Sequence, residues 1–369
     1  NQGLTDHCIN CRPCHIMNGY GGAGTLSDGK YMLTGVDQLT GTTIDLTGID
    51  AAYPISRIAP YAFDDFSGLS PYGSGKKLDD KLDATDPGSR VYMLDHVTEV
   101  VIPSSVEEIG YSAFEGMQNV RHIGFAEGSQ LKRIGAYAFA NIGYSLPYED
   151  DAKVVVDIPV GVTDIGAYAF QSARVQSVVL PDSVDTIGTG LFHECTYLEQ
   201  VTLPQGLPVL PERMFYDCRH LKKVTNLEIV AGRVTYIGEY AFYQSGGDFV
   251  YDAAADYVEN PVTLTALNCT RIGESAFCGC GLIKSFEGPK VTSMGRKSFY
   301  QAVNLETVEL PLMTEIPEQS FYYCHKLKDV KIPSVITIGA SAFAMNNMMR
   351  SAGNPAEYLL EFELPESVT

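Results

Sequence analysis

The chain has 369 residues and sets 45 acidic against 26 basic side chains, for a formal charge of −19. Such a field repels phosphate backbones and anionic lipid headgroups, so nucleic acid and acidic membrane surfaces are set aside as partners. No apolar run approaches the 18 residues that a membrane-spanning segment needs.

The N-terminus differs in kind from the rest of the chain. In NQGLTDHCINCRPCHIMN, Cys8, Cys11 and Cys14 sit three apart, and Cys11-Arg-Pro-Cys14-His15 spells the C-x-x-C-H haem-attachment signature. The same cluster offers thiolate and imidazole donors to tetrahedral zinc, so Cys8, Cys11, Cys14 and His15 are the candidate metal ligands. An unliganded leader is the plainer alternative, because no helical pattern surrounds the signature. Gly19 to Gly24 matches G-x-G-x-x-G by letter but lacks the flanking strand and helix of a dinucleotide site, and reads as a turn. Lys30–Leu33 and Thr42–Leu46 alternate like strands. Residues 1–50 are thus expected to form an N-terminal cap with a Cys-rich leader, and 51–369 a repeat domain.

From about residue 58 one unit recurs, and it is clearest in LEQVTLPQGLPVLPERMFYDCRHL, residues 198–221. Its anchor is a Phe a few residues after an Ile-Gly or equivalent pair. The anchors are Phe63, Phe114, Phe139, Phe170, Phe192, Phe215, Phe242, Phe277, Phe299, Phe321 and Phe343. Their spacings, by subtraction, are 51, 25, 31, 22, 23, 27, 35, 22, 22 and 22, a base period of 22–23 residues with insertions. Each copy hands its last apolar residue to the next, so no unit closes alone; this is the mark of a solenoid. Val201-x-Leu203, Val178-x-Leu180, Val308-x-Leu310 and Val330-x-Ile332 alternate as short strands with one buried face. The Pro after each strand ends it. Gly110, Gly135, Gly166, Gly188, Gly238, Gly273, Gly295 and Gly339 are expected to turn the chain tightly after the Ile. The predicted fold is therefore an α/β repeat solenoid, a right-handed coil of short parallel strands with about eleven repeats.

The run L-x-x-V-x-L-P-x-x-V-x-x-I-G-x-x-A-F-x-x-C-x-x-L resembles the BspA-like leucine-rich repeat over about 300 residues. The resemblance implies an exported or cell-surface protein with no catalytic site. It would bind protein or glycan on host or microbial surfaces.

Three insertions, roughly 64–92, 143–151 and 244–260, all come after the Phe turn and so should emerge on one edge. They carry Tyr72, Tyr144, Tyr148, Asp150, Tyr251 and Tyr257, amphipathic rings among acids that suit partner binding. The middle residues of the strands, among them Thr202, Glu309 and Lys331, form an alternative surface without an aromatic anchor. Cys195, Cys218, Cys280 and Cys324 hold the F-x-x-C slot and read as buried thiols, with Cys269 in a Val slot, whereas Cys278 is expected to be exposed. Asn268-Cys-Thr270 is a formal glycosylation sequon, expected to lie in a repeat core. No catalytic set stands out from background. The expected role is a non-enzymatic adhesion or protein-binding scaffold; metal or haem binding at the leader is the alternative.

Overall fold

The computed structural model describes residues 24–25, 31–32, 43–47, 55–60, 62–63, 97–146, 153–247, 258 and 260–346. The chain forms two compact units, Asn1–Ser183 and Val184–Thr369. Both are stacks of coils built on parallel strands. The leader cysteines and His15 lie outside the described residues.

A typical coil supplies two strands, and like strands of successive coils pair in parallel; in the coil of Gln200–Thr202 the second is reduced to a bridge from Leu210 to Ile237. In the first unit the longer ladder runs through Thr43–Asp45, Glu99–Ile102, His122–Phe125 and Val155–Val156. The shorter ladder runs through Arg57–Ile58, Glu108–Ile109, Arg133–Ile134 and Asp164–Ile165. In the second unit Gln200–Thr202 pairs with Lys223–Thr225, and Val262–Thr265, Ile283–Glu287, Thr307–Glu309 and Asp329–Lys331 form a four-rung ladder. Ladder register aligns side chains of one type. Val308 and Val330 are partners with both side chains buried, and the flanking Glu309 and Lys331 are paired at the surface at 3.3 Å. Helix is nearly absent. The extra residues behind the 27-residue spacing form a helix, Leu227–Ala231, with Leu227, Val230 and Ala231 buried. They fall after a strand, unlike the three predicted insertions.

The anchor rings stack. Phe63, Phe114, Phe139 and Phe170 succeed one another at centroid distances of 5.2, 5.7 and 5.3 Å in the first unit. In the second, Phe192 to Phe343 repeat at 5.7, 5.2, 5.3, 5.2, 5.3 and 5.2 Å. All are buried except Phe343, which is half-buried.

From Phe114 to Phe343 the backbone conformation around the Phe repeats as strictly as the ring does. The residue two before it and the residue two after it are left-handed. Tyr137 and Asn141 around Phe139 have φ of 56° and 57°; Arg213 and Asp217 around Phe215 have 53° and 58°. This alternation aims every second N–H at the next coil. In the second unit Arg213, Phe215 and Asp217 donate to the carbonyls of Glu239, Ala241 and Tyr243 at 2.9, 2.8 and 2.7 Å. A left-handed non-glycine residue is disfavoured by roughly 1–2 kcal/mol, which these satisfied backbone groups offset.

The repeat glycines work differently from the sequence expectation. Gly135, Gly166, Gly238 and Gly273 are not among the positive-φ residues. A Cβ on Gly166 would lie 2.4 Å from the Ala136 nitrogen, and one on Gly273 2.4 Å from the Glu239 nitrogen. Their role is close approach between neighbouring coils rather than a tight turn. In two coils of the second unit Pro211 and Pro317 hold this place instead.

From Phe114 on, the residue three after the Phe is buried, and in three coils of the second unit it satisfies a carbonyl of the preceding coil. The Cys218 and Cys324 thiols donate to the Phe192 and Phe299 carbonyls at 3.0 and 2.9 Å, and Ser245 does the same to Phe215 at 2.5 Å. The six described cysteines are free and buried. Cys278 is among them, against the sequence expectation: one residue after Phe277, it sits in the column of Tyr243 and Tyr300 and is 6% exposed. Burial pushes the thiols of Cys278, Cys280 and Cys324 up to about 12.

This packing has two measurable outcomes. Replacing Phe215 by Ala should cost ~3–5 kcal/mol in denaturant unfolding, as a core cavity does, and Phe343→Ala distinctly less. Iodoacetamide at pH 8 should leave Cys280 and Cys324 unmodified in the folded protein and label them only after unfolding, as read by peptide mass spectrometry.

Candidate interaction surface

Because the coils are stacked in register, each sequence position of the repeat becomes a column on the surface. The column one residue after the anchor Phe is the most aromatic. In the second unit it reads His193, Tyr216, Tyr243, Cys278, Tyr300, Tyr322 and Ala344. His193 stacks on Tyr216 at 4.6 Å, and Tyr216 on Tyr243 at 4.7 Å, with planes 4° and 11° apart. Tyr300 stacks on Tyr322 at 5.1 Å, and Tyr323 widens the row beside Tyr322 at 5.9 Å. Tyr240, two residues before Phe242, meets the edge of Tyr243 at 5.8 Å and carries the Arg213 guanidinium 5.4 Å from its ring centre. Lys297 lies 5.8 Å from the Tyr300 ring centre. The first unit has its own shorter row, with Tyr111, Tyr137 and Tyr168 at 5.6 and 5.3 Å.

These rings are half-buried, faces against one another and edges in water. Burial raises the phenols of Tyr216, Tyr240 and Tyr243 above their ordinary value, and the acids around them add to the shift. They stay neutral donors at physiological pH. Burial also lowers His193, which keeps its imidazole neutral against the Tyr216 ring. Acids rim the row. Glu194 and Asp217 flank Tyr216, Glu274 accepts from the Tyr240 hydroxyl at 3.4 Å, and Glu212 and Glu239 lie near Tyr236.

Of the loop residues singled out in the sequence, Tyr144 is described and is 75% exposed, five residues after Phe139. Tyr72, Tyr148, Asp150, Tyr251 and Tyr257 lie outside the described residues. Sequence reasoning passed over the column after the Phe. The signal was present as Tyr216, Tyr243, Tyr300 and Tyr322, each directly after an anchor. Asn268 lies at an exposed turn rather than in a core, its amide donating to the Gly232 carbonyl at 3.1 Å and accepting from Lys290 at 2.9 Å.

The strand face is different in character. In the second unit it mixes Thr202, Thr225, Thr265, Glu287, Glu309 and Lys331, with Thr265 donating to Glu287 at 3.1 Å and Lys331 paired with Glu309 at 3.3 Å. In the first unit a chain of polar groups crosses four strands there. Thr43 donates to Glu99 at 3.1 Å, and the His122 ring lies between Glu99 at 3.4 Å and Asp157 at 3.0 Å. The two carboxylates sit on opposite ring nitrogens, so they do not converge on one point. Among the described residues no group of three or more His, Cys, Asp or Glu is placed to hold a metal, and no helix is long and apolar enough to cross a membrane.

Residues 87–147, 153–247 and 259–355 match the BspA type leucine rich repeat region, in six copies. No curated protein matches the chain. Among solved structures, a leucine-rich repeat protein from Bacteroides ovatus is 28% identical over 68% of this chain and 64% of its own, with a TM-score of 0.47. The chain thus spans under two thirds of that protein's length. The Leucine Rich Repeat protein of T. pallidum is 25% identical over 59% of this chain and 81% of its own, with a TM-score of 0.40. A leucine rich cell surface protein from Faecalibacterium prausnitzii is 20% identical over 87% and 83%, with a TM-score of 0.44.

The strand-face histidine gives a pH test. The hydrogen bond to Asp157 is the main cause that raises His122 above 6.5, with Glu99 adding to it and burial opposing. A raised folded value favours the imidazolium. The stability it contributes is complete below pH ~6.5 and fades as pH climbs through the folded value. NMR titration should place His122 above 6.5, and Asp157→Asn should bring it down.

Proposed function

The chain belongs to the BspA-type leucine-rich-repeat family, and on that premise we propose a non-enzymatic, exported or cell-surface protein that binds a macromolecular partner along the aromatic edge of its coils. The observation that carries this reading is the column after the anchor Phe. Core packing asks for one Phe per coil, and that Phe is already buried. A second aromatic on the next residue, half in water and repeated at Tyr216, Tyr243, Tyr300 and Tyr322, adds a row of amphipathic rings. Tyr and Arg dominate the energetic centres of interfaces, and here Arg213 lies over Tyr240. Stacking fixes the rings before a partner arrives, so little side-chain entropy is lost on binding.

Tyr72, Tyr144, Tyr148, Asp150, Tyr251 and Tyr257 enter the same proposal, because in sequence they leave the coil on the C-terminal side of an anchor Phe. Exposed placement outside the cell accords with the family resemblance, and the net charge of −19 favours a basic patch on the partner.

Two multi-site variants test the assignment against whatever surface protein or glycan an affinity capture returns. One replaces Tyr216, Tyr243, Tyr300 and Tyr322 with Ser; the other replaces Thr202, Glu309 and Lys331 with Ala. Each aromatic anchor is worth ~2 kcal/mol or more, so the tyrosine variant should lose capture by at least ~30-fold while its circular dichroism stays native. Loss in the strand variant with retention in the folded tyrosine variant would move the site to the strand face.

A further inference from the structure

Resting on that function, we propose that the tyrosine column of the second unit accepts a basic, proline-rich peptide in the polyproline II conformation. Three features of the column fit that occupant together.

The first is spacing. Rungs of a parallel ladder lie ~4.7–4.9 Å apart, and the stacked pairs Tyr216–Tyr243 and Tyr300–Tyr322 keep to 4.7 and 5.1 Å. Polyproline II has three residues per turn at ~3.1 Å each and so presents the same face every ~9.3 Å. One turn of such a peptide matches two coils of this solenoid. Tyr243 and Tyr300 stand two coils apart, with the buried Cys278 between them. An extended strand repeats every ~6.6 Å and drifts out of step after one coil.

The second is hydrogen bonding. Polyproline II makes no internal hydrogen bonds, so its carbonyls all seek donors, and proline itself offers none. The hydroxyls of Tyr216, Tyr322 and Tyr323 make no hydrogen bond to a described group. Burial keeps the Tyr216 phenol protonated. A column of neutral donors thus faces a ligand made of acceptors, while the ring edges cover the pyrrolidine rings. Aromatic surfaces recognise proline-rich segments in this way because the peptide is already ordered.

The third is charge. Acids rim the row, and although Asp217 beside Tyr216 already holds Arg219 at 2.7 Å, Glu212 makes no ion pair among the described residues, on a chain of net charge −19. Lys or Arg at the third position of each turn would point toward this rim.

The probe is a synthetic peptide of about five Lys-Pro-Pro triplets, compared with one of the same length and charge built on Lys-Gly-Ser. Fluorescence anisotropy with the full chain at physiological salt reads both. The proline peptide should bind at least about tenfold tighter than its control. Tyr216→Phe and Tyr322→Phe keep the stacked rings and remove only the hydroxyl, and each should weaken the proline peptide by about threefold to tenfold. Equal affinity for the two peptides would reduce the effect to charge and overturn the proposal. So would unchanged binding by both Phe variants. If neither peptide binds, the proposal also falls; the four-tyrosine variant in the affinity capture then decides separately whether the edge is a binding surface at all.

Discussion

Backbone hydrogen bonding between coils is the constraint on which the rest of this structure depends. A solenoid has no interior apart from the contact of each coil with its neighbours, so a buried N–H or C=O not used within its own coil must find its partner one coil away. The strands do this in the usual parallel fashion. The difficulty lies at the Phe turn, where the chain reverses direction. Left-handed residues two before and two after the anchor solve it, because they align the N–H groups of Arg213, Phe215 and Asp217 with the next coil. Once that geometry is set, the Phe can point only inward. Glycine then serves beside the short strand in most coils, where a Cβ would crowd the neighbouring backbone. The Cys218 and Ser245 side chains complete the pattern by satisfying a carbonyl of the coil before.

Such a backbone leaves side chains free at defined positions. The residue two before the Phe is Ser112, Tyr137, Tyr168, Gly190, Arg213, Tyr240, Ser275, Lys297, Gln319 or Ser341 in different coils, with φ between 49° and 65°. Chemical identity there is not dictated by conformation, or glycine would be used everywhere. Nor is it dictated by burial alone, since Ser112, Gly190 and Ser275 are buried while the others are half-buried or exposed. What remains to choose the residue is contact with its column neighbours and with whatever lies outside. Tyr137 on Tyr168, and Tyr240 under Arg213, are choices of that kind.

The repeat was legible in the sequence because its signal is redundant. Eleven anchors, alternating strand pairs and recurrent glycines all named the same coil. Two physical readings failed because sequence shows one coil at a time. The glycines were assigned to a turn, while their reason is the backbone of the neighbouring coil. Cys278 was placed outside, while its column position between Tyr243 and Tyr300 keeps it buried. The candidate surface was missed for the same cause. A Tyr after a Phe is unremarked in one repeat, and becomes a row only when period and register put Tyr216, Tyr243, Tyr300 and Tyr322 above one another. Composition drew attention instead to the insertions, where tyrosine and acid are dense along the chain.

Edge and strand face differ in what they could offer a partner. Strand-face charges such as Lys331 with Glu309 and Lys328 with Glu306 are exposed and neutralised along the ladder, at 3.3 and 2.6 Å. Pairs of this sort contribute little to stability and leave a partner no unmatched charge. Using them in binding would first require breaking them. At the aromatic edge some acids are paired too, as Asp217 is with Arg219 at 2.7 Å, but the main contact is ring on ring. The rings gain from stacking on one another, and a partner that packs on their edges adds contacts without breaking that stacking. A repeat protein that binds through the edge can therefore lengthen its recognition surface one coil at a time, each coil adding a ring that its neighbour has already positioned.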